Sequence, residues 1–128
     1  MLLVSASIKA SPIHGWGCFT NEPIKKGQLV WVLDERLDLI IPYAALATLP
    51  APARAFMLMY GYATLREGQK VLVLCGDHAK HMNHSDDPNV IESDASGECE
   101  VAARDIAAGE ELTCNYYHFD LDAALKLG

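Results

Sequence analysis

Three short groups of residues have types and spacings that could carry chemistry, and the first is Gly15-Trp16-Gly17. Two glycines around one bulky residue let the backbone approach a ligand closely while the indole ring covers it. The group lacks the third glycine of a dinucleotide-binding fingerprint. On its own it is therefore more typical of a tight loop with a buried tryptophan than of a binding site.

The second group lies between Cys75 and Asn89. Cys75, His78, His81 and His84 are spaced three apart, and on a helix two or three of them could reach one metal ion. However, Gly76 and the run Asn83-His84-Ser85-Asp86-Asp87-Pro88-Asn89 are poor helix formers and indicate a loop. A metal site is the less favoured interpretation, and we expect no metal ion.

The third group lies near the end of the chain. Gly109-Glu110-Glu111-Leu112-Thr113 predicts a turn that leads into a strand, and Cys114-Asn115-Tyr116-Tyr117 follows it. Paired tyrosines at this position would suit an aromatic pocket. Taken alone, the pattern is more often a structural hairpin than a site.

The elements that must position these groups are mostly short strands. Strands are predicted at 5–8, 18–20, 29–33, 37–41, 71–75, 90–91 and 98–103, with Ser96-Gly97 as a hairpin turn. Helical structure is predicted after Pro42 as far as Leu49, from Arg54 to Leu65, and for at least one turn within 120–127. Because strands and helices do not alternate, we expect a mainly β fold with short helices rather than a doubly wound α/β sheet.

Composition limits the classes of function. The 128 residues suit a single domain, and no apolar run reaches the roughly 20 residues of a membrane helix. The beginning of the chain does not resemble a signal peptide, so we expect a soluble intracellular protein, cytoplasmic or in a eukaryote nuclear, with its four cysteines as thiols. Residues 1–75 carry 7 basic and 5 acidic side chains, whereas residues 76–128 carry 3 and 12. An acidic half disfavours nucleic acid and suits a basic peptide, although solubility alone could also explain it.

Together, the three groups resemble the motifs of the SET-domain protein lysine methyltransferases. Gly15-Trp16-Gly17-Cys18-Phe19 is similar to that family's first G-x-G motif. Asn83-His84-Ser85 with Pro88-Asn89 is similar to N-H-S-x-x-P-N, and Gly109–Tyr116 is similar to G-E-E-L-T-x-x-Y. The N-H-S element is highly specific, and the resemblance covers roughly residues 5–119.

The resemblance implies a fold and a reaction. The fold would be a single SET domain over residues 1–128, a β-clip of small sheets whose last segment passes beneath a loop as a pseudoknot, an exception to the rule against threaded chains. The helical stretch at 42–65 would be an insert that shapes the peptide groove. S-adenosyl-L-methionine and the target lysine would enter from opposite faces and meet in a narrow channel, with transfer of a methyl group to the lysine amine of a basic protein or peptide.

The resemblance also implies a role for each motif residue. Tyr116 would lie nearest the transferred methyl group, orient the amine and line the channel. Asn83 and His84 would hold the cofactor largely through backbone groups, and Gly15, Trp16 and Gly17 would contact its amino-acid part. Phe119 would cover the adenine or act as a packing residue. Candidates for the remaining channel walls are Trp31, Tyr60, Tyr62 and Tyr117.

Some positions depart from the family pattern. Lys80-His81-Met82 precedes the N-H-S element, where Arg-Phe and an aliphatic residue are usual. No Tyr-x-Gly motif follows the first strands. Directly before Tyr116, Cys114-Asn115 stands where the family usually has an aromatic residue and Asp. The zinc-binding flanks of many relatives have no counterpart, so a short C-terminal helix or a second subunit would close the channel, and a homodimer is one expectation. The alternative function is a catalytically inactive module of the same fold that binds a basic peptide.

Overall fold

A computed structural model describes residues 1–93 and 98–127. Among these residues it has ten strands, three 3₁₀ helices and two α-helices. The strands are β1 (Ala6–Ala10), β2 (Trp16–Thr20), β3 (Leu29–Val32), β4 (Leu39–Pro42), β5 (Tyr62–Arg66), β6 (Gln69–Leu74), β7 (Asn83–His84), β8 (Val90–Glu92), β9 (Cys99–Ala102) and β10 (Glu111–Cys114). The 3₁₀ helices are Tyr43–Thr48, His78–His81 and Tyr116–His118, and the α-helices are α1 (Ala51–Tyr60) and α2 (Ala123–Leu127).

The strands form three small sheets with the orders β1-β2-β10-β7, β3-β9-β8 and β4-β6-β5. In the first sheet β10 pairs antiparallel with β2 and parallel with β7. Asn89 also holds β10, because its side chain donates to the Glu111 carbonyl at 2.8 Å and accepts from the Thr113 amide at 2.8 Å. The segment 83–89 therefore runs beside β10 and is joined to it at two points, as the expected SET fold requires. The prediction of a mainly β SET fold with short helices is confirmed.

The predicted helix at 54–65 is wrong at both ends. Helix α1 begins three residues earlier, because Pro50 caps it and Pro52 stands in its first turn, where the missing amide hydrogen is not needed. It ends at Tyr60, and the next residues form β5, which pairs with β6. Residues Glu67 and Gly68, both with positive φ, close this hairpin in two residues, as a type I′ turn requires. The insert at 42–65 is thus helical only as far as Tyr60.

Among the described residues, the buried apolar side chains form two clusters that share no residue. The larger lies between the first two sheets and the second belongs to the insert and the β4-β6-β5 sheet. The larger cluster contains Val4, Cys18, Ile24, Val30, Met82, Val90, Ala102, Ile106, Leu112 and Cys114. The second contains Leu46, Met57, Ala63 and Leu72. The insert therefore has its own small core.

The remaining predicted elements agree closely with the structure. The strands predicted at 90–91 and 98–103 correspond to β8 and β9, which pair antiparallel. The turn predicted at Ser96-Gly97 lies outside the described residues. The four cysteines, Cys18, Cys75, Cys99 and Cys114, are free. No described helix is long and apolar enough to cross a membrane.

Candidate active site

Asn83 fixes the glycine loop that precedes β2. Its side-chain amide, 7% exposed as a residue, donates to the carbonyl oxygens of His14 at 3.0 Å and Trp16 at 3.3 Å. The Gly15 carbonyl accepts from the Ser11 amide at 2.8 Å. Gly15 has φ +46°, which favours glycine, and a Cβ there would meet nothing within 4 Å. The loop is therefore held firmly from one side and open on the other.

Glu111 completes this network, and sequence reasoning assigned it no role. Its Oε2 accepts from the Asn83 amide at 2.9 Å, and its Oε1 accepts from the Ser11 hydroxyl at 2.7 Å. A Cβ on Gly17 would clash with Oε2 of this carboxylate. A larger residue at position 17 would therefore displace the Glu111 carboxylate from Asn83 and Ser11, and the second Glu of the G-E-E motif was the signal available in the sequence.

His84 joins the second motif to the third. Its Nδ1 accepts a hydrogen bond from the Tyr116 amide at 3.1 Å, so the ring proton lies on Nε2, which donates to Asp86 at 2.9 Å. The His84 ring also lies edge-on to Tyr116 and Tyr117, with centroid distances of 5.5 and 5.6 Å. His84 therefore sets the position at which the 3₁₀ helix Tyr116–His118 begins.

The phenol of Tyr116 is directed inward. Its hydroxyl donates to the Met82 carbonyl at 2.5 Å. Burial, followed by the negative potential of Cys114, Asp120 and Glu111, raises the pKa of Tyr116 well above its usual value. This hydroxyl therefore stays protonated at neutral pH, and its hydrogen is donated to the Met82 carbonyl. Its oxygen can accept a further hydrogen bond, but the group is unsuited to act as a base.

Tyr116 lines a cavity of about 60 Å³, named here the Tyr116 cavity. Its aromatic part includes Tyr62, whose ring is perpendicular to Phe119 at 5.2 Å, and the Phe119 ring lies 6.0 Å from that of Tyr116. The remaining wall is mixed in character. It consists of Trp31, Met59, Tyr60, Gly61, Cys75, Ala79, Lys80, Met82, Glu92, Glu100, Cys114, Asp120 and Lys126.

A second cavity of about 320 Å³, named here the β5 groove, adjoins the first. The two share Tyr62, Glu92, Phe119 and Asp120 in their walls. The groove runs between the β4-β6-β5 sheet and the C-terminal segment. Its other lining residues are Leu33, Ile40, Thr64, Leu65, Arg66, Val73, Glu98, Tyr117, His118 and Leu121.

Two glutamates, which sequence reasoning did not single out, lie on the inner faces of β8 and β9. Glu92 pairs with Glu100, two residues along from the pair of buried Val90 with buried Ala102. Because side chains two apart share one face of a strand, both carboxyls point to the interior side. Burial, and then repulsion by Glu92, raises the pKa of Glu100 to about 7. The period of two from Ala102 was the signal in the sequence.

Lys126 and Asp120 attach α2 to this site. The Lys126 ammonium donates to Asp120 at 2.7 Å and to the Gly61 carbonyl, and it lies 5.7 Å from the centroid of the Tyr116 ring. Asp120 also accepts from the Ala63 amide at 3.0 Å. The C-terminal helix therefore covers one side of the Tyr116 cavity, as one of the two expected ways of closing the channel requires.

The predicted site residues fall into two linked sets. Tyr116 and Phe119 line the Tyr116 cavity, whereas the loop Gly15–Gly17 is joined to Asn83 and belongs to neither cavity lining. The Trp16 side chain, expected to be buried if the loop is purely structural, is exposed. Of the four further channel candidates, Trp31, Tyr60 and Tyr62 line the Tyr116 cavity and Tyr117 lines the β5 groove, with Tyr62 on a strand and not on the predicted helix.

The structure gives no support to the metal alternative. His84 is engaged with Asp86 and the Tyr116 amide, and His81 packs its ring against Tyr60 at 5.2 Å. Within residues 1–93 and 98–127, no group of three or more His, Cys, Asp or Glu side chains is arranged to hold a metal ion.

The order of these elements can be compared with known proteins. The model of one protein family, the SET domain, matches residues 15–117, which include all three motifs. This chain belongs to the SET-domain family. A search of curated proteins finds no match to this SET domain.

Solved structures with the same fold include three from different organisms. Chaetomium thermophilum Polycomb Repressive Complex 2 bound to S-adenosylmethionine is 21% identical with a TM-score of 0.67, covering 97% of this chain and 16% of that one. Neurospora DIM-5, a histone lysine methyltransferase, is 24% identical with a TM-score of 0.59, covering 90% and 53%. A Plasmodium falciparum candidate histone methyltransferase is 20% identical with a TM-score of 0.60, covering 90% and 95%. At these identities the likeness establishes the fold, and the chain spans about one sixth of the first of these proteins.

Proposed function

We propose that this SET domain transfers a methyl group from S-adenosyl-L-methionine to the side-chain amine of a lysine in a basic protein or peptide. The observation that carries the proposal is the protonated phenol of Tyr116, fixed by the Met82 carbonyl in the wall of a narrow cavity. The SET-domain family membership and the fold shared with histone lysine methyltransferases support it.

The glycine loop fits the amino-acid part of the cofactor. The carbonyls of residues 14, 15 and 16 already accept hydrogen bonds, so amide N–H groups are what the loop offers a ligand. Amide hydrogens suit a carboxylate, and the open space beside Gly15 lets one approach the backbone. The exposed rings of Trp16 and Tyr117 would flank the bound cofactor next to Asn83 and His84, with Phe119 on the Tyr116 side.

When bound, the cofactor supplies an electrophilic methyl group on a positively charged sulfur. The chain must present a neutral amine to it, and removing a proton from lysine near pH 7.4 costs roughly 4 kcal/mol. The aromatic wall of Tyr62, Tyr116 and Phe119 lowers this cost, because it removes the ammonium from water. The hydroxyl of Tyr116 accepts an N–H of the amine and so directs its lone pair.

The β5 groove suits the peptide around the target lysine. Among the described residues of its lining, Glu92, Glu98 and Asp120 are acidic and Arg66 is basic. Because Asp120 is paired with Lys126, the acidic character of the groove comes from Glu92 and Glu98. Acidic groups favour a basic partner through steering and register.

A cytoplasmic location, nuclear in a eukaryote, and a homodimer remain predictions.

Incubation of the purified chain with methyl-labelled cofactor and mixed histones and ribosomal proteins tests the proposal, with mass spectrometry to locate methylated lysines. We expect label on lysine from the wild-type chain and almost none from Tyr116→Phe. Tyr43→Phe is the matched control, because that hydroxyl bonds Asp122 outside both cavity linings. Absence of transfer to any lysine, with peptide binding unaffected by Tyr116→Phe, would instead establish the inactive peptide-binding module, which the acidic β5 groove also fits.

A further inference from the structure

Trp31, Glu100 and Glu92 form a row across three adjacent strands. Trp31 pairs with Glu100 between β3 and β9, and Glu100 pairs with Glu92 between β9 and β8. Directly opposed side chains on neighbouring strands have Cβ atoms about 5 Å apart. All three side chains line the Tyr116 cavity, so an ionisable pair and an indole share the space beside the phenol.

A β-bulge makes this row possible. The register of β3 against β9 shifts between Leu29 and Trp31, where two steps on β3 oppose one step on β9. As a result the neighbours Val30 and Trp31 are both buried, although alternation along a regular strand would expose one of them. The bulge therefore turns the indole inward next to Glu100.

The indole of Trp31 carries a buried hydrogen-bond donor that is not satisfied. The residue is 3% exposed, and its Nε1–H has no hydrogen-bond partner among the described residues. A buried donor without an acceptor costs about 1–3 kcal/mol, and a guest that accepts from the indole would recover this cost. A cavity of about 60 Å³ has room for a few water molecules, and Glu92 and Glu100 line it together with Trp31, so their carboxyl groups are the acceptors we assign to a water on the indole.

We infer that Glu100 accepts the proton given up by the substrate ammonium, through water held on the Trp31 indole. The inference rests on the proposed function and adds the proton acceptor that Tyr116 cannot be. One N–H bond of the ammonium breaks, its electron pair stays on nitrogen for the methyl donor, and an O–H bond forms on the Glu100 carboxylate, with the water passing one proton along. Glu100 then returns this proton to solvent.

The electrostatic surroundings of Glu100 suit such an acceptor. A carboxyl group with an ordinary pKa would be too weak a base at neutral pH, whereas burial and the facing Glu92 raise the pKa of Glu100 to about 7. The N-terminal ammonium acts in the opposite direction. The other charged or titratable groups around the cavity are Tyr60, Tyr62, Cys75, Lys80, Cys114, Tyr116, Asp120 and Lys126.

Steady-state kinetics of the full chain over pH 6–9.5 tests the inference, with the lysine peptide identified by the labelling experiment. For the wild-type chain we expect kcat to rise below pH 7 and level above it. Glu100→Gln should lower kcat about 100-fold at pH 7.4 and remove the plateau, so that activity rises with pH throughout. Trp31→Phe should lower kcat about tenfold. Glu67→Gln, which removes one exposed carboxylate from the β5–β6 turn, should change neither value.

A second substrate separates proton transfer from a structural role. The same peptide with S-(2-aminoethyl)cysteine in place of lysine carries a more acidic amine, so the defect of Glu100→Gln should shrink on it. An active wild-type chain with Glu100→Gln indistinguishable from Glu67→Gln, or with an equal defect on both peptides, overturns the role of Glu100 alone. An inactive wild-type chain overturns the proposed function, and the role of Glu100 with it.

Discussion

Replacement of Asn83 by aspartate exchanges a donor for an acceptor at a point where every partner is an acceptor. The wild-type amide faces two carbonyl oxygens and Oε2 of Glu111, all within 2.9–3.3 Å. The reference variant is Asn83→Ala, which loses the hydrogen bonds made by the two amide hydrogens, one of them to the charged Glu111. A neutral hydrogen bond contributes about 0.5–1.5 kcal/mol and one to a charged group about 1.5–3, so the expected loss of unfolding free energy is about 2–4 kcal/mol.

Asn83→Asp should cost more than Asn83→Ala at neutral pH. The new carboxylate would face Glu111, and two charges about 4 Å apart repel by about 4 kcal/mol at an effective dielectric constant of 20. This repulsion raises the folded-state pKa of the new carboxyl group above its unfolded value near 3.9. The destabilisation is therefore present above the folded pKa, and it diminishes as the pH falls and the pair takes up a proton.

Urea unfolding at pH 7.5 and pH 5.0 measures both effects. With a slope near 2 kcal/mol/M, Asn83→Ala should lower the midpoint by about 1–2 M at both pH values. Asn83→Asp should lie lower still at pH 7.5 and move towards Asn83→Ala at pH 5.0. Asn21→Asp, at an exposed position, is the control. An Asn83→Asp midpoint equal to that of the wild-type chain at pH 7.5 would refute the assigned hydrogen-bond network.

Three further predictions concern four substitutions. Tyr116→Phe should abolish methyl transfer but reduce the unfolding free energy by only about 1 kcal/mol, since one hydrogen bond to the Met82 carbonyl is lost. A variant that loses transfer because it no longer folds would contradict this prediction. Glu100 has a folded pKa near 7 against 4.5 unfolded, so wild-type stability should fall as the pH rises from 4.5 to 7. Glu100→Gln should remove this pH dependence and raise the unfolding free energy by up to about 3 kcal/mol at pH 7.5, as measured by urea titration. If the stability of Glu100→Gln followed the same pH profile as that of the wild-type chain, Glu100 would not be a buried carboxyl with a raised pKa. Asp120→Ala should lower the unfolding free energy by about 3–5 kcal/mol, because it leaves the ammonium of Lys126 without its carboxylate. Lys126→Met should lower it by only about 1 kcal/mol, because Asp120 keeps its backbone donors. Calorimetry that gave the reverse order would contradict the role assigned to this ion pair.

Glu100→Gln is expected to stabilise the fold and to lower the rate of methyl transfer. A carboxyl group held at an elevated pKa is a cost to the folded chain, and a role in proton transfer would be a reason for keeping it. The same substitution thus connects the stability and kinetic predictions through one physical quantity, the pKa of Glu100.

The motifs and most strands could be predicted from the sequence. Glycine at 15 and 17, and the paired tyrosines after β10, are local patterns that can be read along the chain, and their order together with the N-H-S element carried the resemblance. Strands such as β3, β6 and β9 are runs of β-branched and apolar residues between turns, and they were predicted to within two residues. The family resemblance predicted that Tyr116 lines the lysine channel, and in the structure Tyr116 lines the Tyr116 cavity.

Local pattern could not decide where α1 ends and β5 begins. Residues 54–65 combine Ala and Met, which favour a helix, with Tyr, which favours a strand. The decision is made by β6, which pairs with Tyr62–Arg66 across a two-residue turn. Tyr62 consequently lies on a strand that lines both cavities.

The sequence by itself determined which residue types are available to bind a ligand, because glycine freedom, amide donors and a phenol are properties of single residues and short motifs. Only the tertiary structure decided which distant groups meet one another: Asn83 with Glu111, and Trp31 with Glu100. Strand pairing and a single bulge bring these partners together, and burial then changes their chemistry, since a carboxyl group acquires a pKa near 7 only where other strands exclude water from it.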